Sequence, residues 1–98
     1  MALIGQRIGS YSPASYHRIS QINIVTNDSV QIEVCSYWSK EAREAEKEWI
    51  KDPNYHFNMG QHVAEYIGYS TEYHDGFNIH DAYNYIKTLD EYSDCSDI

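Results

Sequence analysis

The sequence predicts an α+β fold: a small antiparallel sheet, built on a β-hairpin, packed against one or two short helices and preceded by a flexible N-terminal arm. Two observations carry this prediction. Residues 16–38 contain two β-rich runs separated by a short polar turn, which is the pattern of a hairpin. Residues 79–86 carry apolar side chains at helical spacing. A chain of 98 residues is long enough for one domain with a modest core.

The hairpin is the best-defined element. Residues 16–26, YHRISQINIVT, are rich in β-branched side chains, which favour strands. Asn27 and Asp28 follow, and both residue types tolerate the positive φ of tight turns. The second run then alternates between apolar and polar residues, with Val30, Ile32 and Val34 on one face. This alternation predicts a half-buried strand.

A first helix is predicted after Ser39, which is placed to cap it, with Glu41 in the first turn favoured by the helix dipole. A narrow apolar stripe follows at i, i+3 and i+7: Ala42, Ala45 and Trp49. Pro53 ends the helix because it disfavours helical backbone at the residue before it. The alternative is a charged loop between strands, and the Ala and Glu content favours the helix.

A second helix is predicted after Asn78, with Asp81 at the capping-box position. Its apolar stripe is well formed at i, i+3, i+4 and i+7: Ile79, Ala82, Tyr83 and Ile86. We therefore expect Tyr83 to be a structural residue on the buried face of this helix.

The remaining segments are less patterned. We predict an extended N-terminal arm over residues 1–15, a single domain over 16–89 and a solvated, mobile acidic tail over 90–98. Residues 55–59 form a possible third strand, and 71–78 have the composition of a loop. Residues 60–70 are ambiguous in sequence, and Val63, Tyr66 and Ile67 also fit one or two short helical turns.

The charge balance excludes several functions. The chain has a net charge of −8 and ten tyrosines. An acidic surface repels nucleic acid and anionic lipid, so direct contact with either is not expected. Tyrosine is suited to protein interfaces and to the solvent-exposed boundary of a small core, and the sequence does not decide between these two locations. No apolar run is long enough to span a membrane and no secretion signal is present, so we expect synthesis in a host cytoplasm.

Catalytic motifs are missing from the sequence. The five histidines, at positions 17, 56, 62, 74 and 80, do not have the spacing of known zinc motifs. Cys35 lies within a strand pattern, where a buried thiol is the default, and a disulfide with Cys95 is not expected in a reducing compartment. We therefore expect no enzymatic activity, no cofactor, no metal and no small-molecule substrate. A small metal-dependent enzyme stays as a third hypothesis.

The aromatic residues supply the candidate sites. We expect Tyr37, Trp38 and Trp49 to be structural and to join the hairpin to the first helix. Tyr11 and Tyr16 are the candidates for partner contact, because they lie on or beside the predicted arm.

Three pieces of sequence carry a resemblance: the start MALIG, the aromatic Trp38 followed by SKEAR, and the terminal block AYNYIKTLDEYSDCSDI. In these pieces the chain resembles small structural proteins of tailed-phage virions, of about this length, encoded near tail, baseplate or host-specificity genes. The matching positions in the terminal block are Ala82, Tyr83, Tyr85, Ile86, Lys87, Asp94, Asp97 and Ile98. These three pieces contain 28 of the 98 residues, and residues 52–78 match nothing in that group. The resemblance implies a structural role in a virion and brings no catalytic residues.

The leading hypothesis is therefore a non-enzymatic virion component of the tail, baseplate or neck. It would act through protein–protein contacts with other virion proteins or with itself, as a homo-oligomer. The alternative is a small acidic inhibitor that mimics nucleic acid and acts on a host nuclease or DNA-binding protein. The acids cluster at residues 41–48 and 90–97 rather than being spaced like phosphates, which argues against mimicry.

Overall fold

A computed structural model of the chain describes residues 2–9, 13–51 and 62–98. These residues form a five-stranded antiparallel sheet with two α-helices, which confirms the predicted α+β class. The strands follow the order β4-β3-β2-β1-β5 across the sheet. In chain order the elements are β1 (Leu3–Ile4), β2 (Tyr16–Val25), β3 (Ser29–Tyr37), α1 (Lys40–Ile50), β4 (Val63–Glu72), α2 (Ile79–Thr88), a 3-10 helix (Asp90–Tyr92) and β5 (Ser96–Asp97).

The β2–β3 hairpin forms where the sequence predicts it. Its turn contains Asn27 with a positive φ of 64°, and the Asp28 amide donates to the carbonyl of Val25 at 3.0 Å. The pairing runs from Tyr16↔Tyr37 to Val25↔Ser29, with one irregularity between Ile19 and Gln21. Because side chains alternate along a strand, the hairpin has one apolar face and one more polar face.

Helix α2 covers the apolar face. Its buried residues are Ala82, Tyr83 and Ile86, and they pack into the core with Val30, Ile32 and Val34 of β3. The capping box between Asn78 and Asp81 is formed in both directions. Ile79 differs from the prediction, because it is 51% exposed. It is the first residue of the helix, and the stripe is buried only from Ala82 onward.

Helix α1 lies by the other face of the sheet, near the end of β3. Ser39 caps it by accepting a hydrogen bond from the Ala42 amide at 3.1 Å. The predicted apolar stripe is not what buries the helix, since Ala45 is exposed. The most buried α1 side chain among those described is Glu46, which is 9% exposed. A carboxylate held by buried hydrogen bonds therefore takes the place that the sequence assigns to an apolar residue.

The predicted flexible arm is wrong for the residues nearest the start of the chain. Leu3 and Ile4 form β1, which pairs with β2 on one side and β5 on the other. Ala2 is 3% exposed and Leu3 is 1% exposed, so both belong to the core. A strand of two residues is too short to show a period-2 pattern, which is why the sequence does not reveal it.

The acidic C-terminal segment also differs from the predicted mobile tail. Tyr92 is 2% exposed and packs in the main core, and Ser96 and Asp97 pair with β1. Acidic residues flank Tyr92 in the sequence, so the composition of this segment does not reveal that Tyr92 is buried.

Strand β4 occupies the segment that the sequence leaves ambiguous, and it pairs with β3 from Ser29↔Glu72 to Tyr37↔Val63. The possible strand over residues 55–59 lies outside the described residues. No helix among the described residues is long and apolar enough to cross a membrane.

Candidate functional site

The two predicted partner-contact tyrosines do not form a surface in the described part of the chain. Tyr11 lies outside the described residues. Tyr16 is only 9% exposed, and its ring packs edge-on against Tyr37 at 5.8 Å between centroids. The expectation for Tyr16 is therefore corrected: as the first residue of β2, it is held in a small core cluster and is not presented to a partner.

The four predicted structural aromatics have different environments. Tyr37 is fully buried, and Tyr83 is 4% exposed and accepts a hydrogen bond from the Ile19 amide at 2.9 Å. Trp38 is 42% exposed, unlike Tyr37 before it, and its role in joining the hairpin to the first helix stays a prediction. Trp49 is half-buried, and its ring contacts that of His62, next to the start of β4, at a tilt of 58° and 5.2 Å between centroids.

A closed polar cluster surrounds Tyr37. Its hydroxyl donates to Glu46 Oε1 at 2.6 Å and accepts from Arg18 Nε at 2.9 Å. Arg43 contacts both Tyr37 and Glu46. Burial, and then the hydrogen bond to Glu46, raise the pKa of Tyr37. Burial also raises the pKa of the neighbouring Cys35 thiol, which keeps it protonated and unreactive. Through the bonds that Tyr37 makes with Glu46 and Arg43, the cluster holds α1 to the end of β3.

A second polar cluster lies under the other face, and no sequence pattern predicts it. Arg7 bridges Glu65 at 2.8 Å and Glu91 at 2.9 Å. His17 Nε2 donates to the Gly5 carbonyl at 2.8 Å, so Nδ1 is the nitrogen that accepts from the Ser36 hydroxyl at 2.7 Å. Burial lowers the pKa of His17, which keeps the ring neutral. These contacts tie the N-terminal and C-terminal segments to the sheet.

Neither cluster has the composition of a metal site. Among residues 2–9, 13–51 and 62–98, no group of three or more His, Cys, Asp or Glu side chains is arranged to hold a metal ion. Both cysteines are free.

The outer edge of β4 is the first candidate surface for contact with a partner. β4 is ten residues long and stands at the end of the sheet order, and within the described residues it pairs only with β3. Between Glu65 and Glu72 it carries no charged side chain and no proline. Its outer side therefore presents backbone donors and acceptors of the kind that a further strand would satisfy.

The other end of the sheet order is different. β5 is two residues long, and Asp97 is paired with Lys87 at 3.2 Å. Short strands and charged side chains are the usual means of blocking a sheet edge. The two edges are thus unequal: β4 is ten residues long and has no charged side chain between Glu65 and Glu72, whereas β5 has two residues.

The second open surface is a groove on the polar face of the sheet, with a volume of about 540 Å³. It crosses β2, β3 and β4 beside Gly68, at the end of this face away from Tyr37. Its polar lining comes from alternate residues of the three strands: Gln21, Asn23, Gln31, Glu33, Tyr66 and Ser70. The alternation of β3 predicts a polar face here, but it does not predict a concave one.

Two exposed acids of α1 form ion pairs with lysines of the same helix. On α1, Glu44 pairs with Lys47 at 3.6 Å and Glu48 pairs with Lys51 at 3.2 Å. These ion pairs give the helix a surface of mixed sign, which is what a solvated helix face has.

Comparison with known proteins adds no relative to this description. No protein-family model matches the chain, and neither a curated protein nor a solved structure matches it.

Proposed function

We propose that this chain is a non-enzymatic structural and assembly protein that joins its neighbours by strand addition at the outer edge of β4. The setting we propose is the virion of a tailed phage, as a tail, baseplate or neck component made in the host cytoplasm. The partner is a second copy or another virion protein that offers an extended segment.

The observation that carries the proposal is the uncharged stretch of β4 from Tyr66 to Thr71. Monomeric proteins protect a long edge strand with charge, proline, a bulge or a covering segment, because an open edge recruits other strands. This stretch has neither charge nor proline, and its pairing with β3 is regular from Ser29↔Glu72 to Ser36↔Glu65. An edge of this kind fits regulated pairing with a partner, in which main-chain hydrogen bonds supply affinity.

The small size of the domain supports the same conclusion. Much of the core depends on one sheet face and one helix, and a domain of this length buries a limited share of its surface. An added strand would extend the sheet and stabilise the folded chain by mass action. The resemblance of the MALIG, SKEAR and C-terminal pieces to virion proteins supplies the proposed setting.

The edge is tested with a matched pair of proline variants, Gly68→Pro and Tyr69→Pro. Adjacent strand residues direct their amides to opposite sides, so one proline removes a donor facing β3 and the other removes a donor on the free edge. The melting temperature shows which variant is which, because losing the donor that faces β3 destabilises the fold more. We expect the variant with the better-preserved melting temperature to lose self-association in sedimentation velocity, or to lose its place in particles. Normal association of that variant would refute strand addition at this edge.

The setting is tested by mass spectrometry of gradient-purified particles from a lysate of the source. Peptides of this chain in stoichiometric amount would support a virion protein. Their absence from particles, with the protein abundant in the lysate, would refute the virion setting and favour the acidic-inhibitor alternative.

A further inference from the structure

We propose that the groove beside Gly68 is a binding site for a neutral oligosaccharide. This inference rests on the polar face of the sheet and is independent of the edge contact proposed above.

The shape of the groove follows from one residue. Gly68 lies near the middle of β4 and pairs with Glu33 of β3, and a Cβ built on it would meet no atom within 4 Å. Its neighbours on the same face of β4 are Tyr66 and Ser70, because side chains alternate along the strand. The missing side chain leaves a depression between them. The volume of about 540 Å³ lies within the range of small-molecule sites.

The chemistry of the lining favours a polyhydroxyl ligand. Gln21, Asn23 and Gln31 are exposed amides, and each offers two donors and a carbonyl acceptor in one plane. Asn23 and Gln31 are cross-strand partners whose side chains approach to only 3.5 Å, so most of their hydrogen-bonding capacity faces solvent. Sugar hydroxyls both donate and accept, and they match such a mixed surface better than an anion or an apolar group does.

Tyr66 and Glu33 are the other two lining residues that would select a neutral sugar. Tyr66 is 37% exposed and lines the groove, where its ring can pack against the apolar C–H face of a sugar. Glu33 is the charged residue of the lining; it accepts a hydrogen bond from the Ser20 hydroxyl at 2.7 Å and retains acceptor capacity for a ligand hydroxyl. With no cation in the lining and a net charge of −8, the site disfavours acidic saccharides.

The test is a titration of the ¹⁵N-labelled full chain, followed by ¹H–¹⁵N correlation spectra. The probes are maltotetraose, cellotetraose and chitotetraose, each taken to about 10 mM to detect weak binding. We expect at least one of them to shift the side-chain amide signals of Gln21, Asn23 and Gln31 and the backbone signal of Gly68.

Gly68→Val supplies the decisive variant. Valine favours a strand and the position is open, so the fold is retained while the branched side chain fills the groove. We expect this variant to bind the same tetrasaccharide at least about tenfold more weakly. The matched control is Asn84→Ala, which removes an exposed amide from α2 on the opposite face and should bind like the original chain.

The proposal is overturned if none of the three tetrasaccharides shifts the groove signals. It is also overturned if the shifts lie elsewhere on the surface, or if a folded Gly68→Val chain binds with unchanged affinity.

Discussion

The hydroxyl of Tyr37 offers the sharpest test of how α1 is held to the sheet. The substitution Tyr37→Phe removes that hydroxyl and keeps the ring in its fully buried position. It eliminates the 2.6 Å bond donated to Glu46 and the 2.9 Å bond accepted from Arg18. Both bonds involve a charged partner, and hydrogen bonds to charged groups contribute about 1.5–3 kcal/mol each.

The two contributions do not simply add. Glu46 keeps its ion pair with Arg43, and Arg18 is half-buried, so water can replace part of what it loses. We therefore expect a loss of about 2 kcal/mol in the free energy of unfolding, nearer to one charged hydrogen bond than to two. For a domain of this size, that loss lowers the melting temperature by roughly 10 °C.

Urea denaturation, followed by circular dichroism, measures this difference. The matched control is Tyr85→Phe, which also removes one tyrosine hydroxyl but breaks only a 3.1 Å bond to the backbone carbonyl of Ser70. That neutral, solvent-exposed bond should contribute about 0.5 kcal/mol. Equal stability of the two variants would refute the argument that the Tyr37 cluster anchors the helix.

Three further predictions concern the rest of the core. Leu3→Ala should lower the free energy of unfolding by about 2–4 kcal/mol in urea melts, whereas a free N-terminal arm would give no change. Asn78→Ala should lower it by about 1 kcal/mol, because it breaks the capping box of α2; an Asn84→Ala chain, altered at an exposed site of the same helix, is the comparison. The third prediction concerns pH. Burial lowers the folded-state pKa of His17, so its stabilising effect is complete above the unfolded value of 6.5 and is lost as pH falls below it. Urea midpoints between pH 8 and pH 5 should therefore fall less steeply for His17→Gln than for the original chain, and parallel slopes would contradict this.

Local signals explain which parts of the fold could be predicted. The hairpin turn at Asn27 and the capping box at Asn78 depend on residues a few positions apart, and both form as the sequence indicates. Leu3 could not be placed, because its burial depends on partners at His17 and Asp97, far along the chain. The burial of Glu46 could not be predicted, because only the fold brings Tyr37 and Arg18 to it.

The two candidate surfaces also depend on contacts between residues that are far apart in the sequence. The polar side chains of β3 predict an exposed face, but the groove exists because Gly68 is registered beside Glu33. That register is set by pairing between strands whose sequence separation is large, and no short motif encodes it. The place of β4 at the end of the described sheet likewise depends on strand order, which the sequence did not predict.

The pairing of β1 with β5 has a mechanical consequence. Leu3 lies opposite Asp97 and the Ile98 amide donates to the Ala2 carbonyl, so residues 2 and 98 are neighbours at one end of a short antiparallel ladder. A load applied between these two residues would break the hydrogen bonds between β1 and β5 one after another instead of all at once. The C-terminal segment would then peel away before β2, β3 and β4 bear any force. In an assembly under tension, this corner would yield first, and Tyr92 is the buried side chain of the C-terminal segment that would then leave the core.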